Sequence, residues 1–188
     1  MLDLETIKLA LENHKPKKLP LNEQIPGAVL VPIFENKNEL YLLLTKRTEQ
    51  MPTHKGQISF PGGRKEEKDK TLVDCALRET REEIGLVSSE IQIIGELDSI
   101  RTHTSNFLLA PFVGLLNYPF VLNINKEEVE EVIEIPLEEF FTLDNWESSD
   151  VEIDSGIHTI WFFTYKKWVV WGATAKIIKH FVSMFELD

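Results

Sequence analysis

An α+β fold, with a mixed β-sheet held between helices as an α/β/α sandwich, is predicted by three features of the sequence. Apolar runs typical of strands lie on both sides of a central helical segment that ends near Ile84, and a further helical segment lies near each end of the chain. This order of elements is typical of a sheet with helices on both faces. The 188 residues, 43% of them hydrophobic, suffice for one domain with a sizeable core.

The chain begins with a predicted helix over residues 1–14 and a linker over residues 15–20. Leu4, Ile7 and Leu11 share one helical face, and prolines interrupt the linker. We therefore divide the chain into an N-terminal helix and linker, 1–20, and a single domain, 21–188. The segment lacks the basic start and apolar centre of a signal peptide, and no run approaches the roughly twenty apolar residues of a membrane span. The expectation is a cytoplasmic protein with no membrane partner.

Two antiparallel strands are predicted next, over residues 28–34 and 39–45, joined by a turn at 36–38. Pro32 lacks a backbone donor, which predicts a sheet edge or a bulge at that position.

The central helix combines a buried face with an acidic one. An apolar stripe recurs at i, i+4, i+7 and i+11, formed by Val73, Leu77, Thr80 and Ile84. Glu79, Glu82 and Glu83 fall within about a third of the helix circumference. Three carboxylates this close repel one another, and a hard divalent ion such as Mg²⁺ or Mn²⁺ would compensate. The alternative is a solvated glutamate-rich face.

Glycines bound this helix on both sides. The run Phe60-Pro61-Gly62-Gly63 precedes it, where a double glycine allows close approach of the backbone to a ligand, and Gly85 is a natural helix stop. Cys75 is the one cysteine, which excludes an internal disulfide, and it is expected to be a small core residue.

These residues resemble the signature of the Nudix hydrolases. The matching positions are Gly63, Asp69, Arg78, Glu79, Glu82, Glu83, Gly85 and Leu86. The chain departs from the signature in three ways: Asp69 stands for the usual Glu, one extra residue separates it from Arg78, and Thr80 replaces an aliphatic residue. The first two departures are expected to weaken an ion pair between Asp69 and Arg78.

The resemblance implies a Nudix-like sandwich fold and hydrolysis of a diphosphate linkage. Glu82 and Glu83 would ligate Mg²⁺ or Mn²⁺, Glu79 would be a ligand or a general base, and Arg78 would orient a carboxylate. The carbonyl of Gly63 would complete the metal shell. Nudix enzymes often take one more carboxylate from outside the signature, and Glu128 and Glu131 are both candidates.

A second, narrower resemblance points to the substrate. Nudix enzymes that hydrolyse coenzyme A show an upstream signature that this chain matches at Leu43, Leu44, Thr45, Arg47, Gly56, Phe60, Pro61, Gly62 and Gly63. Pro52 occupies the place of an expected arginine. The resemblance implies cleavage of coenzyme A or acyl-CoA to 4'-phosphopantetheine and 3',5'-ADP.

Positive charge gathers in the same region, which suits an anionic substrate. The cluster comprises Lys46, Arg47, His54, Lys55, Arg64 and Lys65. The predicted substrate-binding residues are Arg47, Lys55, Gly62, Arg64 and His103, although a lone loop histidine is more often a surface residue.

The rest of the chain predicts strands over residues 91–99 and 107–116, a hairpin over 156–165 and 168–171, and a final helix over 173–185. Trp161, Trp168 and Trp171 could stack on an adenine, although such aromatic residues are more often core.

The net charge and the signature residues limit the classes of molecule that the protein could bind. A net charge of −11 argues against nucleic acid as a partner. Two alternatives stay open beside coenzyme A: a Nudix hydrolase for ADP-ribose, NADH or a nucleotide sugar, and a non-catalytic nucleotide-binding module. A homodimer is compatible with the sequence.

Overall fold

The computed structural model of the chain describes residues 2–50, 54–102, 105–153 and 156–185. The helices are α1 (Leu4–Asn13), α2 (Leu72–Ile84) and α3 (Gly172–Ser183). The strands are β1 (Ile25–Asn36), β2 (Glu39–Arg47), β3 (Ile58–Ser59), β4 (Gly62–Arg64), β5 (Ile91–Glu96), β6 (Ile100–Arg101), β7 (Phe107–Leu116), β8 (Val129–Pro136), β9 (Trp146–Ile153), β10 (Gly156–Tyr165) and β11 (Trp168–Trp171). Short 3-10 helices span Ser88–Glu90, Leu137–Phe141 and Leu143–Asn145.

The larger sheet is mixed, with a main strand order of β3-β2-β1-β7-β5. β1 runs parallel to β7 and antiparallel to β2 and β4. β8 pairs antiparallel with β2. This pairing brings residues 126–128, which precede β8, to the end of β2. The strands β11, β10 and β9 form a second, three-stranded sheet.

The core lies on both faces of the larger sheet. On one face, Ala28, Leu30 and Phe34 of β1 pack against α2. On the other face, Val29, Val31 and Ile33 belong to a cluster that includes side chains of α1 and α3. Because both faces of the sheet are covered, the sequence of β1 is a continuous apolar run and does not alternate between apolar and polar residues. The predicted α/β/α sandwich is confirmed.

The predicted hairpin between the first two strands is confirmed, but the prediction for Pro32 is wrong. Lys37 and Asn38 adopt φ values of 52° and 65°, as a two-residue hairpin turn requires. Pro32 lies on a central strand, opposite Gly114 of β7. Leu30 donates its N–H to Pro61 on the other side, and alternation along the strand places the Pro32 nitrogen on that side too. The missing donor therefore falls where β1 changes partner from β4 to β2.

The N-terminal helix packs into the same core as the sheet. Ile7 and Leu11 of α1 are buried in the cluster that contains α3. A Cβ atom at Gly95 of β5 would lie 2.8 Å from the Leu11 Cβ, so only glycine allows the helix to come this close. The domain division at residue 20 stays a prediction. None of the described helices has the length and apolar character needed to cross a membrane.

The C-terminal part contains the predicted hairpin and final helix, together with a strand that the sequence did not predict. β10 and β11 pair antiparallel around Lys166 and Lys167. β9 joins the other edge of β10. Its sequence, WESSDVEI, has few apolar residues, and an edge strand exposed on its outer side needs few.

Candidate active site

Both ends of α2 are fixed by local hydrogen bonds. Thr71 caps the first turn by accepting from the Asp74 N–H at 3.1 Å, and Asp74 accepts from the Thr71 N–H at 2.8 Å. At the other end Gly85 has a φ of 83° and donates its N–H to Arg81. The three-residue spacing of Thr71 and Asp74 in the sequence is that of a capping box.

The buried side of α2 holds polar as well as apolar groups. Thr80 and Ile84 of the predicted stripe are fully buried, whereas Val73 and Leu77 are half-buried. The Thr80 hydroxyl donates to the Ala76 carbonyl at 2.7 Å, which satisfies the polar group that replaces an aliphatic residue. Cys75 is buried, and burial raises the pKa of its thiol to about 11, as expected for a core residue rather than a nucleophile.

The glycine turn before α2 lies against both the sheet and the acidic helix. A Cβ at Gly62 would lie 2.6 Å from the Cα of Val29, and a Cβ at Gly63 would lie 2.6–2.8 Å from the carboxyl atoms of Glu79. These two glycines therefore let the backbone of β4 touch β1 on one side and a carboxylate of α2 on the other.

Arg78 is the centre of a hydrogen-bonded network beside the acidic face. Its Nε and Nη2 donate to the two oxygens of Asp69, both at 2.9 Å. Its Nη1 donates to Glu79 at 2.7 Å and to Glu82 at 2.9 Å, and Nη2 also donates to the Arg64 carbonyl. The hydrogen bond to Asp69 is the largest cause of the raised pKa of the guanidinium.

The expectation of a weakened Asp69–Arg78 ion pair is wrong. The pair is bidentate and buried, and the hydrogen bond from Arg78 lowers the pKa of Asp69 to about 2. The extra residue is absorbed before α2, where the Glu66 N–H donates to Asp69 at 2.8 Å. The shorter aspartate therefore reaches Arg78 from a local turn.

Glu83 does not lie on a solvated face of α2, so the alternative of a solvated glutamate-rich face does not hold for this residue. The residue is only 3% exposed, because α2 turns it toward the sheet below the glycine turn. Its Oε1 lies 3.8 Å from Nη1 of Arg47, and its buried Oε2 has no hydrogen-bond partner among the described residues. Burial raises the pKa of Glu83 to about 8, and the charge of Arg47 acts in the opposite direction.

The other two glutamates of the trio differ from Glu83. Glu79 is half-buried, and burial raises its pKa against the opposing hydrogen bond from Arg78. Glu82 keeps 41% of its side chain exposed and is paired with Arg78 and Lys68. Among the described residues, these three carboxylates do not bring one oxygen each within 4.8 Å of one another.

Of the two candidates outside the helix, Glu128 lies at the site and Glu131 does not. The loop before β8 returns to the end of α2, where Asn123 and Asn125 donate their N–H groups to the carbonyls of Ile84 and Glu83, both at 2.9 Å. This return places Glu128 in the cleft beside Glu83. Glu131 instead accepts from the indole of Trp168.

A cleft of about 680 Å³ opens above the carboxylates. Glu79, Glu83 and Glu128 lie at one end of it, together with Gly62 and Gly63. Other walls come from the C-terminal part of the chain, including Ile160, Trp161 and Trp171. Glu82 and Trp168 are not among its lining residues.

The positive charge predicted for this region reaches the cleft only in part. Arg47, His54 and Arg64 line it. Lys46 is paired with Glu130, Lys65 donates to the Asp69 carbonyl, and the exposed Lys55 does not line the cleft. His103 and Pro52 lie outside the described residues. Two lining cations that the sequence analysis missed, Arg101 and Lys176, come from segments far from the signature.

The acidic end of the cleft fits a divalent cation. Carboxylate and carbonyl oxygens are the ligands that Mg²⁺ and Mn²⁺ prefer. The unpartnered Oε2 of Glu83 is a buried acceptor that lacks the partner such groups normally have. Like charges on Glu79 and Glu128 add to the rise in the pKa of Glu83, and a cation between them would remove that repulsion.

Comparison with known proteins identifies the family. The NUDIX domain family matches residues 24–154. The chain belongs to the Nudix family. It is 35% identical over 172 residues to a Nudix hydrolase NudL of Photorhabdus laumondii, described as uncharacterized, covering 92% of this chain and 90% of that protein. A protein of the same name and description from Pectobacterium atrosepticum is 36% identical over 163 residues, covering 87% of this chain and 84% of that one.

Solved structures agree with the Nudix fold. An Ap4A hydrolase binary complex from C. elegans has a TM-score of 0.51 and 18% identity, covering 61% of this chain and 82% of that one. A MutT/nudix family protein from Enterococcus faecalis has a TM-score of 0.54 and 16% identity, covering 98% of this chain and 70% of that one. By its family match and its relatives, the chain is a Nudix hydrolase.

Proposed function

We propose that this Nudix hydrolase cleaves the diphosphate linkage of coenzyme A or acyl-CoA, with Mg²⁺ or Mn²⁺, giving 4'-phosphopantetheine and 3',5'-ADP. The observation that carries the hydrolytic part is the buried, unpartnered oxygen of Glu83 beside Glu79 and Glu128 at one end of a cleft. The observation that favours coenzyme A is the upstream signature from Leu43 to Gly63.

The residues of that upstream signature shape the cleft. Arg47 and Gly62 line it, whereas Leu43 and Leu44 are buried in the core and anchor β2. Thr45 donates its hydroxyl to the Ser59 carbonyl at 3.3 Å, which ties β2 to the segment that leads into the glycine turn. The signature thus fixes the strand from which Arg47 projects toward the carboxylates.

Glu83, Glu79, Glu82 and the Gly63 carbonyl are the proposed metal ligands, with Glu128 as the further carboxylate. A bound Mg²⁺ or Mn²⁺ would supply positive charge that offsets the repulsion between the diphosphate and an attacking water. Glu82 would have to release Arg78 or Lys68 to contribute. Glu128 and Glu79 both face the cleft, so either can accept the proton of the water.

Besides the metal ligands and the general base, the reaction needs groups that hold the phosphates. Water attacks one phosphorus, the bridging P–O bond breaks, and the departing phosphate takes up the electron pair. Arg47 and Arg64 line the cleft and are placed to hold phosphate oxygens by charge-assisted hydrogen bonds. Arg78 is occupied by Asp69, Glu79 and Glu82, and its role is to orient the carboxylates rather than to touch the substrate.

The cleft has room and suitable chemistry for coenzyme A. Its volume of about 680 Å³ falls in the range of ligand sites, about 300–1,000 Å³. Arg101 and Lys176 could meet a third phosphate, and Trp161 or Trp171 offers a surface on which an adenine could stack. Pro52, in place of an expected arginine, favours the second candidate, a hydrolase for ADP-ribose, NADH or a nucleotide sugar.

A panel of diphosphate compounds separates the two candidates. The purified protein is incubated with coenzyme A, acetyl-CoA, ADP-ribose, NADH and a nucleotide sugar, each in Mg²⁺ and in Mn²⁺, and the products are identified by mass spectrometry. We expect kcat/KM to be highest for coenzyme A or its acyl ester. A higher kcat/KM for another compound would overturn the substrate assignment alone. Metal binding without cleavage of any compound would overturn the hypothesis that the protein hydrolyses diphosphate linkages.

Two further expectations belong to this proposal. A cytoplasmic location suits a water-soluble nucleotide substrate and would be checked by cell fractionation. A homodimer would be checked by light scattering on the purified protein, where a mass near 21.7 kDa would contradict it.

A further inference from the structure

A second group of metal-binding side chains lies away from the cleft. His14 ends α1, Asp98 lies between β5 and β6, and His180 lies on α3. One nitrogen of each histidine and one oxygen of Asp98 lie within 4.8 Å of one another, and all three residues are half-buried. None of them lines the cleft.

The distances are close to those of a metal shell. Nε2 of His14 lies 3.0 Å from Oδ1 of Asp98, and Nε2 of His180 lies 3.7 Å from the same oxygen. Metal–ligand bonds of about 2.0–2.2 Å in a tetrahedron place neighbouring ligand atoms about 3.4 Å apart. An ion could therefore be accommodated by small side-chain shifts, with an open side for water.

The protonation states suit ligation as well. Burial lowers the pKa of His180, so its ring is neutral near pH 7. The Asp98 N–H donates a long hydrogen bond to Nε2 of His180 at 3.5 Å, so this nitrogen carries no proton, and an ion would replace the amide at its lone pair. Partial burial opposes ionisation of Asp98, but hydrogen bonds from the Lys17 N–H and from His14 favour the carboxylate, and the pKa of Asp98 is lowered.

We propose that His14, Asp98 and His180 form a second cation site, for a transition metal such as Zn²⁺, which joins α1 to α3. Two imidazoles and one carboxylate form a ligand set that favours Zn²⁺ or Co²⁺ over Mg²⁺, whereas the all-oxygen end of the cleft has the opposite preference. The two sites would thus take different ions.

The position of the cluster gives such an ion a structural effect. Ile7 and Leu11 of α1 and Phe181 of α3 belong to one apolar cluster on the face of the sheet opposite α2. An ion held by His14 and His180 would link α1 to α3 at the more exposed edge of this apolar cluster. It would bind the folded protein and not the unfolded chain, so it would stabilise the fold.

The test measures binding of Zn²⁺ and Co²⁺ by the full chain in excess Mg²⁺, which occupies the acidic end of the cleft. A second measurement uses a background with Glu79→Gln and Glu83→Gln, which removes two carboxylates of the competing site. We expect one Zn²⁺ per chain by calorimetry, visible absorption of tetrahedral Co²⁺, and a rise in Tm of about 5–10 °C at a hundredfold excess over Kd.

Variants then locate the ion. His180→Asn and His14→Gln should each reduce the affinity for Zn²⁺ at least tenfold, and His14→Gln keeps a group that can hydrogen-bond to Asp98. His158→Asn is the matched control, because it also removes one of the five histidines but lies in the cleft. It should leave the stoichiometry unchanged.

The unmutated chain provides a readout that does not depend on folding of the variants. Zn²⁺ should shift the imidazole ¹⁵N resonances of two of the five histidines. Failure to bind Zn²⁺ at millimolar concentration, equal affinity in His180→Asn, or shifts in other histidines would overturn the proposal and leave a histidine–aspartate ion pair. None of these results bears on the diphosphate hydrolysis proposed for the cleft.

Discussion

Two arginines contact the carboxylates of α2, and they are used differently. Arg78 is buried and donates to Asp69, Glu79, Glu82 and the Arg64 carbonyl. Arg47 makes one long ion pair with Glu83, and its buried Nε has no partner among the described residues. A satisfied buried network stabilises a fold, whereas unsatisfied groups in a cleft are suited to a ligand. The Arg78 network and the cleft around Arg47 should therefore respond differently to mutation.

The largest effect is expected in the cleft, at Glu83. Glu83→Gln should lower kcat by about a thousandfold or more, which is about 4 kcal/mol of transition-state stabilisation. The metal-free variant should be at least as stable as the wild type, because burial disfavours ionisation of the Glu83 carboxyl and the amide that replaces it is neutral. Steady-state kinetics and thermal unfolding measure the two effects, with Glu131→Gln as the control. Unchanged activity would reject the metal-ligand assignment.

The Arg78 network should show the reverse pattern. Arg78→Met leaves Asp69 buried without its partner and should lower the free energy of unfolding by about 3–5 kcal/mol. Arg78→Lys should recover only part of this, because an ammonium group cannot make the bidentate contact. Urea unfolding measures the loss, and the exposed Arg81→Met on the same helix is the control. A loss no larger than that of the control would show that the network does not stabilise the fold.

A smaller effect on turnover separates Glu128 from Glu131. Glu128→Gln should lower kcat roughly a hundredfold, the scale of a lost general base, with little effect on stability. Glu131→Gln removes a contact with Trp168 outside the cleft and should leave kcat nearly unchanged. If Glu131→Gln were the more damaging change, the carboxylate outside the helix would have been assigned to the wrong residue.

Arg47 should influence substrate binding more than folding. Arg47→Met should raise KM for the diphosphate substrate about tenfold, which corresponds to ~1.4 kcal/mol, the scale of one hydrogen bond to a charged group. Lys46→Met is the matched control, because Lys46 precedes it on β2 and is paired with Glu130. A similar KM for both variants would contradict a role for Arg47 in the cleft.

A further effect is expected on acid stability. The pKa of Asp69 is about 2 in the folded protein against an ordinary value of 3.8, so its stabilisation is present above pH 3.8 and is lost as the pH falls toward 2. Unfolding free energies of the wild type and of Asp69→Asn should therefore converge over this range. A constant difference from pH 5 to pH 2 would contradict the pairing.

The sequence predicted the elements well because strong local patterns specify them. The stripe that ends at Ile84 and the Gly85 stop predicted α2, and two apolar runs joined by a turn at residues 36–38 predicted the first hairpin. β9 was missed because its strand state depends on pairing with β10 rather than on its own composition.

The sequence identified the residues of the site better than it predicted where their side chains lie. The residues of α2 were identified from spacing, but spacing on one helix cannot show that Glu83 faces inward while Glu82 faces solvent and Lys68. The choice between Glu128 and Glu131 depends on how a distant loop returns to α2, and Arg101 and Lys176 enter the cleft through long-range packing. Such contacts leave no local pattern in a single sequence.

The segment that returns to the C-terminal turn of α2 limits which mutations the site can tolerate. The carbonyls of Glu83 and Ile84 accept from the main-chain N–H groups of Asn125 and Asn123, and the Asn125 side chain donates to Oε1 of Glu128 at 3.1 Å. The alignment of Glu128 with the helix therefore depends on the length of the backbone and on the side chain of Asn125. Replacing Asn123 should therefore be far less harmful than deleting one residue between Ile84 and Glu128, whereas replacing Asn125 also removes a hydrogen bond to Glu128. The length of this segment is set by the distance between two carboxylates, Glu83 at the end of α2 and Glu128 before β8.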